Sequence, residues 1–296
     1  MNQNNVNKQQ NEPFGIDMLN AQRHYYLLAK RMVLVSLFFC VILVAVLSVT
    51  NRLIQSDLLA KAVLIYSLIA LVLNWLFANK RNQLQNLAAR IQHLFDIRLF
   101  GLTWDKALCG VEPRLEDIER GKQNDPKKLN DWYLGVPDDL PVEVVALVCM
   151  RMNVAYDQSM KRRLTTLIYL SFFVILLIII MANLQRSIFD FLICFVAPMI
   201  PVFKFFYDAK QRVDKDKDRL IRLDTLIDAA IKKALKGEVI EQSELQKINN
   251  LIFEHRNTSP LMPEWFYNIL RKKEEETSAY SANYYYNEFR KAYASK

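Results

Sequence analysis

Arginine, amide and aromatic side chains recur together at three places in the polar parts of this 296-residue chain. Asp131 is followed by Trp132 and Tyr133. Arg151 and Asn153 lie one to two helical turns before Asp157, and His255 is followed by Arg256 and Asn257. The planar arginine fork can hold a phosphate through two parallel hydrogen bonds, and an aromatic face can stack on a base. Residue types of this kind could grip a cyclic nucleotide. They also have a plainer use: Trp132 and Tyr133 could anchor at a bilayer surface or fill a small core, while the arginines cap helices or pair with Asp157 and Glu254. Spacing alone leaves both open.

Signatures of catalysis are missing from the sequence. There is no Walker loop, GxGxxG, GxSxG, HExxH or paired CxxC. His24, His93 and His255 are far apart in the chain and are expected as surface or capping residues, so neither a metal site nor a cofactor is predicted. Cys40, Cys109, Cys149 and Cys194 are scattered, which implies no disulfide framework and fits a reducing compartment. The net charge is +8, yet the basic residues flank apolar blocks instead of forming an arm. Attraction to an anionic membrane surface fits this at least as well as attraction to nucleic acid, and no DNA or RNA polymer is expected as partner.

The elements that must position these residues are apolar helices. Leu164–Gln185 contains no Asp, Glu, Lys or Arg; Arg186 interrupts, and a second apolar segment over 187–206 carries Asp190 near one end and Lys204 near the other. Met32–Asn51 is uncharged, and Ala62–Asn79 follows a short link holding Arg52, Asp57 and Lys61. Roughly 20 apolar residues cross a hydrocarbon core of about 30 Å. The pattern predicts an all-α membrane protein with two transmembrane hairpins (spans at about 32–51, 62–79, 164–185 and 187–206). A helical cytosolic insert over 80–163 lies between the hairpins, and a helical cytosolic region over 208–296 closes the chain. Lys30, Arg31, Lys80, Arg81, Lys161, Arg162, Arg163 and the basic residues after Tyr207 share one side, so both termini are expected in the cytoplasm.

Finer features follow the same grammar. Residues 1–13 are Asn/Gln-rich and expected to be disordered. Asp17 is expected to cap a helix that runs into the first span, within a module covering 14–79. Lys80–Phe95 continues span two as an amphipathic helix, Gly and Pro break up 98–141, and Pro141 can open the helix that enters span three. After the second hairpin (164–207), Val213, Leu220, Leu223, Ile227, Ala230 and Ala234 form a near-heptad stripe, suited to packing within the protomer or to a subunit contact. Further helices are predicted over 241–257 and from Pro263 to about Tyr293. Within the membrane, Asp190 follows Arg186 at a spacing that favours ion pairing. Pro198 and Pro201 should bend the fourth span, either as a gating hinge or merely to steer the chain.

The order of these parts resembles a known family. Leu19–Arg23 precedes span one; Phe95-Asp96, Leu99, Gly101, Leu102 and Trp104 follow span two. Asp131–Tyr133, Cys149–Asn153 with Asp157, Ile252–Arg256 and Pro260–Tyr267 complete the set. Together, around four spans, they resemble the SMODS-associated four-helix transmembrane effectors, pore-formers of bacterial cyclic-oligonucleotide antiphage systems (CBASS). The chain departs from that pattern at Leu134 and at Val154-Ala155. The resemblance implies a non-enzymatic, homo-oligomeric protein of the bacterial inner membrane. A partner nucleotidyltransferase would make a cyclic di- or trinucleotide; binding of that ligand would lead to permeabilisation and abortive infection. On matched positions, it puts forward Arg23, Trp132, Tyr133, Arg151, Asn153, Arg256 and Asn257 as ligand residues, with Asp190, Pro198 and Pro201 as gating residues. A constitutive channel or transporter subunit, or a membrane scaffold, is the competing expectation.

Overall fold

A computed structural model describes residues 4–122, 129–183 and 196–294. Its elements are α1 (Val6–Gln9), α2 (Pro13–Leu37), a π-helical turn (Phe38–Ile42), α3 (Leu43–Ile54), α4 (Asp57–Phe100), α5 (Lys106–Cys109), α6 (Leu115–Gly121), α7 (Val142–Asn183), α8 (Ala197–Leu235), α9 (Gln242–Thr258) and α10 (Glu264–Ala294). No strand occurs among the described residues.

Continuity is the main property of the long helices. α2, the π turn and α3 form one rod, and α4 returns beside it after a link of only two residues. Gln55 takes the left-handed conformation (φ 51°) and Ser56 accepts from the Leu59 N–H at 3.4 Å, so the predicted link of about ten residues is mostly helix. Small side chains let the two rods approach: Cys40 and Ala70 are fully buried, and the Cys40 thiol donates to the Ala70 carbonyl at 3.2 Å. Ser36 Oγ donates to Asn74 Oδ1 at 2.9 Å, and Tyr66 Oη to the Phe39 carbonyl in the π turn at 2.8 Å. These bonds satisfy polar groups that lipid could not.

Outward, the rods are apolar. Phe38, Ile42 and Val46 on the first, and Leu68, Val72 and Trp75 on the second, are exposed. Both rods are long and apolar enough to cross a bilayer, and only 28% and 22% of their most apolar stretches are buried. A core helix of a water-soluble protein would be mostly buried. The same character continues on α7 (Leu170, Phe173, Leu177) and α8 (Ile200, Phe203).

The large core lies at the other end, where α2, α4, α7, α8, α9 and α10 meet around Leu19, Ile91, Phe95, Tyr133, Leu147, Met150, Leu223, Ile227 and Phe289. All six residues of the α8 stripe, Val213 to Ala234, are buried within the protomer. That stripe therefore serves internal packing and not a subunit contact.

Two expectations are corrected. Residues 4–12, predicted to be disordered, form a structured strap. Asn4 Nδ2 donates to the carbonyls of Pro137 and Leu140 (2.8 and 2.6 Å), and the Gln10 side chain makes a two-way amide pair with the Tyr133 backbone (3.2 and 2.9 Å). Low hydrophobicity misleads here because the amides themselves are the packing groups. Asp17 is not a cap: α2 starts four residues earlier with Pro13 in its first turn, and Asp17 instead pairs with Lys122 at 3.0 Å. Asp190, Arg186 and Cys194 lie outside the described residues. Pro198 and Pro201 both fall in α8, and Pro201 lies inside the helix, where a proline has no N–H to donate to the fourth residue before it.

Candidate functional site

The last turn of α9, His255 to Ser259, is gripped by three helices that continue into the apolar rods. From α4, Asp96 receives Arg256 Nη1 at 2.5 Å on one carboxylate oxygen and Tyr133 Oη at 2.8 Å on the other. Asn153 Nδ2 of α7 donates to the same Tyr133 hydroxyl at 2.9 Å. Gln85, fully buried on α4, donates to the carbonyls of Arg256 (3.0 Å) and Ser259 (2.8 Å), and Lys161 of α7 reaches the Pro260 carbonyl and Ser259 Oγ. These groups occupy carbonyls that a helix C-terminus leaves unpaired, and the Lys161 cation suits the negative end of the helix dipole. Asn86 donates to Asn257 Oδ1 at 3.0 Å, and Arg219 of α8 donates to Thr258.

His255 joins α7 to α8. Its Nε2 lies 2.7 Å from Asp157 on α7 and its Nδ1 2.9 Å from Asp216 on α8, with the imidazole and Asp216 both buried. Burial opposes the imidazolium, but the Asp157 hydrogen bond and the adjacent Asp216 carboxylate outweigh it and raise the pKa above the ordinary 6.5. Burial likewise works against the Asp157 carboxylate, yet the His255 hydrogen bond takes its pKa down to about 2. At Arg256, burial is outweighed by Asp96, so the guanidinium stays charged. Burial, reinforced by Asp96, raises the Tyr133 pKa and keeps the phenol neutral as a donor.

Of the residues singled out in the sequence, Tyr133, Asn153 and Arg256 are thus brought into one buried network. Arg151 is not part of it. Two residues along a helix turn the side chain by about 200°, so Arg151 and Asn153 face different neighbours. Arg151 bonds Asp228 of α8, lies 3.6 Å from Asp224, and stacks 4.8 Å from the Tyr285 ring of α10. Trp132 is half-buried against the main core. Arg23 is half-buried on α2, with no ion pair to a described residue. The alternative pairing of the arginines with Asp157 and Glu254 is replaced by pairing with Asp96, Asp224 and Asp228.

Sequence reading missed Gln85, Asp96, Lys161 and Asp216 as site residues, and took His93 and His255 as surface or capping groups. Both histidines are buried. His93 stands between the rings of Trp104 and Phe253, its Nδ1 3.3 Å from Asn249 Nδ2, and burial lowers its pKa to about 3. A signal existed: Gln85, Gln92 and Asp96 fall on the same face of α4 as Ala88 and Ala89. Asp216 sits inside the Val213–Leu220 stripe. Polar residues on a core-facing stripe must find partners.

Fold and site define a helical protein whose apolar rods run unbroken into a buried, charge-paired junction. The chain belongs to the SMODS-associating 4TM effector domain family, which it matches over residues 4–284. It is also similar to a protein of Bacillus cereus (strain VD146) described as a probable CBASS effector molecule. The two are 26% identical over 196 residues, covering 64% of this chain and 65% of the relative, so the chain spans a little under two thirds of that relative's length. No solved structure matches it.

Proposed function

We propose that the chain is the membrane effector of a cyclic-oligonucleotide antiphage system. In this reading it crosses the bacterial inner membrane four times with both termini inside, assembles as a homo-oligomer, and permeabilises the membrane on binding a cyclic di- or trinucleotide made by a partner synthase. Family membership and the Bacillus relative support the defence role. The exposed apolar faces on α2–α3, α4, α7 and α8 support four spans.

The observation that carries the reading is continuity. α2, α4, α7 and α8 each run from a lipid-facing surface into the junction, where Tyr26, Asp96, Asn153 and Asp216 respectively take part in or line the charged network. Carboxylates occupy the arginine forks in this arrangement: Asp96 at Arg256, Asp224 and Asp228 at Arg151. A dianionic ligand competes for such forks. If it binds better to a different pairing, it shifts the population of the rods by that difference in affinity. The ligand set is Arg23, Trp132, Tyr133, Arg151, Asn153, Arg256 and Asn257, and the fourth span, with Asp190 near its outer end and Pro198 and Pro201 toward its cytosolic half, is the moving part.

Dye-loaded liposomes containing the full chain test this against a panel of cyclic di- and trinucleotides. Leakage is expected with one of them, and to be lost in Arg151→Ala, whose partners Asp224 and Asp228 are 40% and 39% exposed and so can be solvated once the cation is gone. Leakage indifferent to every cyclic nucleotide overturns the reading, and an Arg151→Ala variant that binds like the wild type moves the pocket elsewhere.

A further inference from the structure

We infer that the first turns of α10 form a lipid-headgroup contact. Trp265 and Ile269 insert at the boundary of the cytosolic leaflet, and Lys272 and Lys273 meet anionic headgroups. The inference rests on the bilayer-spanning reading but concerns a helix outside the spans.

Position comes first. Met262 and Leu270 are buried against Met160 and Leu164 of α7, with Phe266 and Tyr267 packed on the same cluster beside Leu167 and Ile168. Lys30 of α2 pairs with Glu264 at 2.6 Å and lies 5.1 Å from the Tyr267 ring centroid. Lys30 lies two residues before the first apolar segment, and Leu164 opens the third. The beginning of α10 is therefore held where two apolar segments begin, next to the exposed Tyr169, Leu170 and Phe173 of α7.

Chemistry comes second. Met262, Phe266 and Leu270 face α7, while Trp265 (55% exposed) and Ile269 (69% exposed), four residues apart, face away. One turn on, Lys272 and Lys273 are exposed on the same side. An indole at the headgroup level, an aliphatic neighbour and adjoining lysines are the features of a helix lying in an anionic interface. A second copy of this chain is the competing occupant. Its own patch would carry the same two lysines, offset in part by the exposed Glu276 one turn on, whereas the anionic lipid surface is complementary to the lysines and continuous with the apolar face beside them.

The full chain in vesicles of phosphatidylglycerol and phosphatidylcholine, with plain or brominated acyl chains, reads this out through tryptophan emission. Difference spectra against Trp265→Phe isolate Trp265, and those against Trp75→Phe isolate Trp75, exposed on span two. Trp265 emission is expected to be lost in brominated vesicles, and to be largely restored by the surface variant K272E/K273E while Trp75 stays quenched. Trp265 emission that is equal in plain and brominated vesicles, with Trp75 quenched, overturns the proposal and leaves the spans standing. This includes the case in which a cross-linked oligomer covers Trp265. If neither tryptophan is quenched, the spanning reading falls with it.

Discussion

The Arg256–Asp96 pair shows what one residue holds. Both side chains are almost fully buried, and Arg256→Ala would leave the Asp96 carboxylate without its cation. Loss of one partner of such a pair costs about 3–5 kcal/mol, whereas replacing both with neutral groups of similar volume is often nearly neutral. Thermal unfolding in detergent should therefore show a large loss for Arg256→Ala and recovery in Arg256→Met/Asp96→Asn. Binding data on the single alanine variant confound folding with recognition, which is why Arg151 is the cleaner probe. The His255 bridge adds a pH dependence. A raised histidine pKa contributes stability that is fully present below the unfolded value of 6.5 and is lost as pH rises through the folded value. The lowered Asp157 pKa contributes stability present above 3.8 that is lost as pH falls toward 2. The bridge is thus complete between roughly pH 4 and 6.5. A decline in melting temperature above pH 6.5 is expected for the wild type and should be absent in His255→Gln.

At the level of elements, the N-terminal strap and the packing of α6 each depend on a single close fit. Gln10 satisfies both backbone groups of Tyr133, so Gln10→Ala leaves a buried N–H and C=O unpaired, at about 1–3 kcal/mol each. Faster amide exchange at residues 131–136 in that variant is the expected signature; unchanged exchange would mean that the strap merely rests on the turn. α6 approaches α2 through Gly121, where an added Cβ would stand 2.8 Å from Ala21 Cα and 2.9 Å from the Tyr25 ring. Gly121→Val should destabilise by about 1–3 kcal/mol through overpacking. These two contacts, with the His255 turn of α9, connect parts of the chain that are over 90 residues apart.

For the whole molecule, the division is between rods with apolar exterior and a junction with charged interior. In water the exposed faces of the rods would drive association; in lipid they are at home, and the junction is the part with alternative pairings. If the termini and the insert are cytosolic, trypsin outside intact spheroplasts should cut only near Arg52, Lys61 and Arg186. Cleavage after Lys80 or in α10 should appear only when the membrane is opened. Cleavage at Lys272 from outside in intact cells would reverse the orientation.

The sequence by itself determined the helical class, the apolar segments, the family and three of the groups that meet in the junction. Those properties follow from composition and period, which act locally: an uncharged run of about 20 residues has few ways to be satisfied other than as a helix in lipid. Only the tertiary structure decided the partners. The chain neighbours of Arg151 and Arg256 suggested Asp157 and Glu254 as partners, yet Asp96, 160 residues away, takes the Arg256 guanidinium. Asp157 goes to His255 instead. Arg151 and Asn153, two residues apart, part company because the helix turns one toward α8 and the other toward Tyr133. The Asn/Gln-rich start reads as disorder because composition records what cannot make a core; it does not record which backbone groups elsewhere need an amide. Pairing of buried polar groups is a property of three-dimensional neighbourhood, and the neighbours come from six separate helices.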